Sequence, residues 1–289
     1  MKQFILPALV LISSAAFSQS TKAGNYNLDQ DYKLDPKGTI YLTSSDAKVT
    51  ITGSTRPNVH VKIKRVVTTK GWVFGDESFA VDVAERDGNL SIREQSNSSH
   101  VGIVGYHYEE YSINIEAPEG ASLVVKGDDG DYFIKSVHGS MNLDLDDADV
   151  ELAGCQGNDF RVRLDDGDLR MDSGKGSLEV DADDADVVVK NSAFSKIYAN
   201  LDDGDFIVET SLSDGGDYFI DAQDGLVSIT VLGGGGRFDI RHDDARVITE
   251  GNFNVVDKEE DRTRLTLASG NAKVDIRADD ARVKLTSSN

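Results

Sequence analysis

At 289 residues the chain has room for one or two domains, and its 51 Asp and Glu against 30 Lys and Arg set a formal net charge of −21. A surface of that sign repels nucleic acid, anionic lipid and acidic polysaccharide, and favours cations, basic partners or plain solubility. Cys155 is the only cysteine, which excludes an internal disulfide. It lies in the turn-like stretch from Ala153 to Gly157, which offers no base or cation to activate a thiol.

Residues 1–18 read as a secretory signal peptide. Lys2 supplies the positive start, Phe4 to Ile12 the apolar core, and Ser13 to Ser18 a small-residue cleavage region. The apolar run is too short for a transmembrane segment, and no cysteine marks a lipoprotein cleavage point. Cleavage near Ser18 predicts an exported protein that begins at Gln19 and is one charge more negative than the full chain, because Lys2 leaves with the signal.

Residues 19–57 hold two short period-two runs, Ile40-Leu42 and Val49-Ile51, which flank Ser45-Asp46-Ala47-Lys48 and predict a first coil. Residues 58–116 break the repeat. Val59-Val61-Ile63-Val66, Phe79-Val81-Val83, Leu90-Ile92 and Tyr111-Ile113-Ile115 predict four strands of an antiparallel β-meander, with Asp87-Gly88 as the tight turn between the middle two. Such a meander covers the open N-terminal end of whatever follows. The stretches Gly71-Trp72-Val73-Phe74-Gly75 and Gly102 to Tyr108 are read as loops at one end of it, which makes Trp72, Phe74, Tyr106, His107 and Tyr108 candidate ligand contacts. The bland alternative is that these rings pack over the apolar end of the stack.

Residues 117–289 are dominated by one phrase, Asp-Asp-Gly/Ala-Asp, that returns every 18 to 21 residues. It comprises Asp128, Asp129 and Asp131; Asp146, Asp147 and Asp149; Asp165, Asp166 and Asp168; Asp183, Asp184 and Asp186; and Asp202, Asp203 and Asp205. Degenerate copies follow at Asp224-Gly225, Asp243-Asp244-Ala245-Arg246 and Asp279-Asp280-Ala281-Arg282. Around each phrase the apolar residues alternate, as in Val162-Leu164 before Gly167 and Leu169-Met171 after it, so each period holds two short strands and two corners. Gly or Ala in the third position fits an inward slot at a bend. The aromatics Phe133, Phe160, Tyr198, Phe206, Tyr218 and Phe238 are expected to include core-facing rings.

The predicted fold is therefore all-β: a single-stranded β-solenoid (β-helix) of about 18–20 residues per coil, with a perimeter of roughly 60 Å and coils ~4.8 Å apart. The Gly and Ala forms alternate from Gly130 to Gly204, a longer period of 37, but a coil of that length needs a core these small side chains cannot fill. One coil per phrase is preferred, stacked in chain order from about Asn114 to Leu285. The four prolines all precede Ala121, as interior strands require.

Ile113-Asn114-Ile115-Glu116-Ala117-Pro118-Glu119-Gly120-Ala121-Ser122-Leu123-Val124-Val125, with the recurring Gly130-Asp131, Gly167-Asp168 and Gly204-Asp205, resembles the putative-adhesin family of exported bacterial β-strand-repeat proteins of unknown function. The resemblance covers about Thr39 to Leu285. It implies a β-solenoid, a cell-envelope or surface setting with a protein or glycan partner, and no catalytic residues to carry over. This chain departs from the family in its Asp pairs and in using Ala in half the copies.

Stacked in register, each Asp lies ~4.8 Å from its equivalents, where two charges repel by about 0.9 kcal/mol in water. Three devices relieve this: hydrogen bonds from corner amides, cations placed in outlying coils (Lys48, Arg246, Arg282), or bound Ca²⁺ on the fifteen aspartates of the five complete copies. Corner chemistry is the favoured reading and a Ca²⁺-binding module the alternative, with no other cofactor expected. His60, His100, His107, His138 and His242 show no metal spacing, and no carboxylate pair stands apart as an acid and base. A carbohydrate-active β-helix enzyme is a distant third, and the chain is expected not to be an enzyme.

Overall fold

The computed structural model describes residues 19–288 except 23, 244, 245 and 269, and the side chains of 19–22, 73–77 and 96–103 fall outside that description. The expected signal at 1–18 and the corner residues Asp244 and Ala245 thus lie outside the described residues. Those described contain strands and no helix, so no helix is long and apolar enough to cross a membrane.

Two ladders of parallel strands run through the molecule. In the first, Thr39–Ser44 pairs with Ser122–Gly127, that strand with residues 141–145, and those with 160–164; farther along, 196–201 pairs with Asp217–Ala222. In the second, residues 49–52 pair within Gly130–Lys135, then come 148–153 and 169–172; farther along, 187–192 pairs within Asp205–Ser211, which pairs with Leu226–Gly233. Successive partners lie one phrase apart in the sequence, as in Leu123↔Met141, Met141↔Phe160 and Phe206↔Val227. One phrase therefore corresponds to one pair of strands, and the longer Gly/Ala period is not the pairing period.

Period-two alternation drives this arrangement. The inward side chains of both ladders form one hydrophobic core, in which Phe160, Phe206, Tyr218 and Phe238 are fully buried. Tyr198 has the opposite parity and lies on the outer face, stacked on Phe219 at 5.3 Å between ring centroids. Opposite charges face each other across the outer surface of the first ladder, as in Lys126 with Asp144 (2.7 Å) and Arg161 with Glu179 (3.3 Å), the cross-strand arrangement that favours pairing.

Chain order and spatial order part company at both ends. Val59–Arg86 and Asn89–Pro118 form one antiparallel ribbon closed by Asp87 and Gly88, both at positive φ (52° and 76°), the combination a two-residue hairpin turn requires. Residues 90–93 of the ribbon pair with 40–43, and 112–118 with 48–54, so the ribbon sits on the outer side of the first strand pair. Tyr26–Tyr32 and Gln19–Lys22 complete that end, both antiparallel.

The other end departs from the expected serial stacking. Ala272–Ala278 lies between Asp217–Ala222 and Gly236–His242, and Arg282–Ser287 lies between Leu226–Gly233 and Val247–Glu250. The last strands of the chain are therefore interior, and an earlier pair is terminal. Arg262–Leu267 then adds antiparallel to 236–242, and Phe253–Lys258 to 262–267. Near-identical repeats carry no order signal of their own, so the hairpins decide which pair ends the stack.

Candidate binding surfaces

The ribbon carries most of the exposed aromatic surface. In the 39–54 unit the chain passes from first to second ladder through residues 44–47, whereas the neighbouring ribbon strand uses 94–111 for the same passage, because Arg93 pairs with Thr43 and Ser112 with Lys48. The surplus forms a two-stranded arm at the corner that the aspartates occupy in later units. Residues 104–110 are exposed on both faces.

The stretches around Trp72 and Tyr106 are not the loops expected from their glycines: both are strand, and they pair with each other. Trp72 faces Val104, Lys70 faces Tyr106, and Thr68 faces Tyr108. Their glycines, read as loop punctuation, are the cross-strand pair Gly71 and Gly105 at φ 131° and 143°, where a Cβ on either would meet the opposing backbone. Alternation puts Trp72 (72% exposed), Val104 (64%), Tyr106 (54%) and Tyr108 (50%) on one face. His107 points to the other face, with its Nδ1 3.1 Å from Thr69 Oγ1. Phe74 pairs with Gly102 along the backbone, and its side chain lies outside those described.

A compact base holds the arm. Val59, Val61 and Ile63 point inward, and Arg65 continues their phase into the core. Its guanidinium lies 4.4 Å from the Phe79 ring centroid, pairs with both carboxylate oxygens of Glu109 and donates to the Gly24 carbonyl at 3.2 Å. Phe79 in turn meets Tyr26 and Tyr111 edge-on at 5.5 and 5.2 Å. Sequence reasoning missed Arg65, although a cation in the inward phase of an apolar run was the available signal.

The aspartates lie in three columns along one corner. In the column that follows the Gly/Ala slot, Asp131 pairs with Asp149, Asp149 Oδ1 accepts the Asp168 amide at 3.2 Å, and Asp186 Oδ1 accepts the Asp205 amide at 2.8 Å. This column ends in cations: Lys48 Nζ lies 3.7 Å from Asp131, and beyond Leu226 the next residue in register is Arg282. Arg170 also pairs with Asp168. In the middle column Asp147 and Asp166 are in register, and the hydrogen bond between their carboxyls raises the Asp166 pKa above the usual carboxylate range. The column that opens each phrase comprises Asp128, Asp146, Asp165, Asp183 and Asp202; the Asp128 carbonyl accepts the Asp147 amide, Arg163 lies 3.7 Å from Asp165, and Gln223 donates to Asp202. Among the described residues no group of three or more His, Cys, Asp or Glu is arranged to hold a metal ion.

At the foot of the arm, Glu94 accepts from both the amide and hydroxyl of Ser45, at 3.0 and 2.6 Å. Burial, followed by the charges of Asp129 and Glu94, raises the pKa of adjacent Asp46. A folded pKa above the unfolded value means that the ionised carboxylate costs stability near neutral pH, and the cost is relieved as pH falls through the folded pKa. Asp46→Asn is expected to raise the melting temperature at pH 7 and to leave it nearly unchanged near pH 3. An equal shift at both pH values would show that this carboxylate's charge is not the cause. Cys155 is buried, its thiol pKa pushed up by burial and its Sγ 3.6 Å from the Ile134 carbonyl, which makes it inert packing.

Residues 38–286 match the family model described as Toastrack DUF4097. Among solved structures, a putative adhesin from Bacteroides fragilis is 14% identical over 90% of this chain and 97% of its own, with a TM-score of 0.34. A putative cell adhesion protein from Clostridium sporogenes is 13% identical over 91% and 100%, with a TM-score of 0.27. A putative lipid binding protein from Parabacteroides distasonis is 11% identical over 91% and 97%, at 0.28. No curated protein matches the chain.

Proposed function

Because the chain belongs to the Toastrack DUF4097 family, we propose that it is an exported, non-enzymatic β-solenoid that acts in adhesin-like recognition at the bacterial envelope or surface. The solenoid part of this reading is supported by parallel partners one phrase apart in the sequence and by inward side chains gathered in one core. Residues 39–54 then supply the first coil, 19–32 and 58–116 the cap with its arm, and 117–289 the remaining repeats. Export rests on the signal-like residues 1–18.

One observation carries the recognition reading: Trp72, Tyr106 and Tyr108 share an exposed face of a paired ribbon. Large rings are normally buried, and a row of them held by backbone pairing presents contact area at little entropic cost. Buried aromatics of this kind dominate binding energies when a partner covers them. Neither a cofactor nor a catalytic group enters this reading, and the Asp columns serve as corner chemistry.

The test is binding of the immobilised chain to purified envelope fractions and to a glycan array. Trp72→Ala and Tyr106→Ala are each expected to weaken binding about tenfold or more, without changing the melting temperature. Undiminished binding by both variants would sink the assignment of this face.

A further inference from the structure

We propose that the end of the stack opposite the arm is a self-association surface, built to receive a second copy of this chain. The inference takes the two ladders as opposite walls of one coil, and does not depend on the recognition role of the arm.

The two walls end unevenly. The first ladder continues past Gly236–His242 through Arg262–Leu267 to Phe253–Lys258, whereas the second stops at Val247–Glu250. Two strands thus overhang a step. Val255 is in register with buried Leu265, yet it is itself 62% exposed. Val256, at the bulge between Val255 and Asp257, is 63% exposed. On the short wall, Thr249 is in register with buried Leu285 and is nevertheless exposed. Among the described residues, Phe253–Lys258 and Val247–Glu250 each have a strand partner on one side only. At the arm end Gln19–Lys22 and Tyr26–Tyr32 also have a strand partner on one side only, but Tyr26–Tyr32 carries Asp29 and Asp31, which pair with Lys62 and Arg56 and contact the His60 ring.

A step of this shape is self-complementary. A two-fold axis parallel to the strands carries the long wall of one copy onto the short wall of the other. Strand 253–258 of one copy then meets 247–250 of its partner antiparallel, twice, and the overhanging faces with Phe253 and Val255 close over each other. The contact is isologous and therefore closed.

Charge favours this occupant and this end. Residues 119–235 hold 27 Asp and Glu against 8 Lys and Arg, a net −19, whereas residues 236–289 hold 11 against 10, a net −1. Two copies repel side by side along the acidic flanks, and that repulsion is absent end to end.

Sedimentation velocity on the purified exported chain, over a range up to sub-millimolar concentration, is expected to show a dimer. Val255→Lys should weaken it about tenfold or more with an unchanged far-UV spectrum, since the site is exposed in the single copy. Mixing Ile248→Cys with Val256→Cys chains should yield the mixed disulfide in preference to either homodimer, and buried Cys155 stays silent. A monomer at every concentration, a dimer indifferent to Val255→Lys, or open-ended filaments would each overturn the proposal.

Discussion

Deleting residues 268–289 is expected to unfold the distal third of the molecule, far beyond the residues removed. The deleted strands, Ala272–Ala278 and Arg282–Ser287, are interior members of both ladders. They bury Val274, Ile276, Val283 and Leu285 at no more than 1% exposure. At 1.5–3 kcal/mol per side chain, their loss removes roughly 6–12 kcal/mol, comparable with the whole stability of an ordinary domain. The consequences spread outward. Strand 236–242 keeps only its antiparallel partner, and 247–250 keeps none. Residues 236–267 then form an isolated three-strand fragment beside an uncapped edge formed by 217–222 and 226–231. Hydrogen exchange read by mass spectrometry should show protection lost over 236–267 and reduced over 217–233, while 122–172 stays protected, because each pair contacts only its neighbours. Native protection of 236–267 in the truncated chain would mean that these strands are held by something other than the pairings seen here.

The same threading bears on folding. Tyr218 meets Val274, and Phe238 meets the same residue from the other side. Neither contact forms until the last strands insert between units made earlier, so completion of this end waits on non-local pairing.

The repeat itself was legible because two independent signals coincide in it: period-two alternation, as in Val162-Leu164 and Leu169-Met171, and a corner phrase at nearly constant spacing. Together they set strand length, corner position and pairing offset. They do not set order. Leu226 to Val231 offers the same apolar parity to 282–287 as to any other unit, and nothing local says that the chain's last strands belong beside it. The arm shows a different limit. Trp72, Tyr106 and Tyr108 stood out by composition, but their glycines suggested loops. The cross-strand position that makes a glycine useful within a ribbon depends on a partner far along the chain, Gly71 against Gly105. Parity already separated His107 from its tyrosine neighbours once the stretch was taken as strand. The corner slot takes only a small residue, as the sequence indicates, but it is not equivalent in every copy: Ala148 and Ala185 are buried, whereas Gly167 and Gly204 are only half-buried.

That difference leads to the second large effect. Gly204→Ala is expected to destabilise the fold by about 3 kcal/mol, although alanine occupies the same position in the preceding unit, at Ala185. Gly130, Gly167 and Gly204 have φ of 141°, 107° and 130°, a conformation that L side chains rarely adopt and that costs roughly 1–3 kcal/mol. A Cβ at each would fall on a backbone carbonyl, that of Ala47, Ala148 or Ala185 respectively. Backbone cannot step aside as a flexible side chain would, so overpacking adds about 1–3 kcal/mol more. The alternation noted in the sequence thus has a cause: an alanine corner turns its methyl into the core, and the next corner lays a glycine over that alanine's carbonyl. For a chain of this size the loss corresponds to a fall in melting temperature of roughly 6–12 °C. Ala185→Gly, which removes one buried methyl and frees the unfolded chain, should cost only about 1 kcal/mol. The sign of the first change is decisive. Were the slot simply small, Gly204→Ala would stabilise by about 0.4–1 kcal/mol through the unfolded state. A rise in melting temperature for Gly204→Ala would therefore refute the alternating corner, and a fall larger than that of Ala185→Gly would support it.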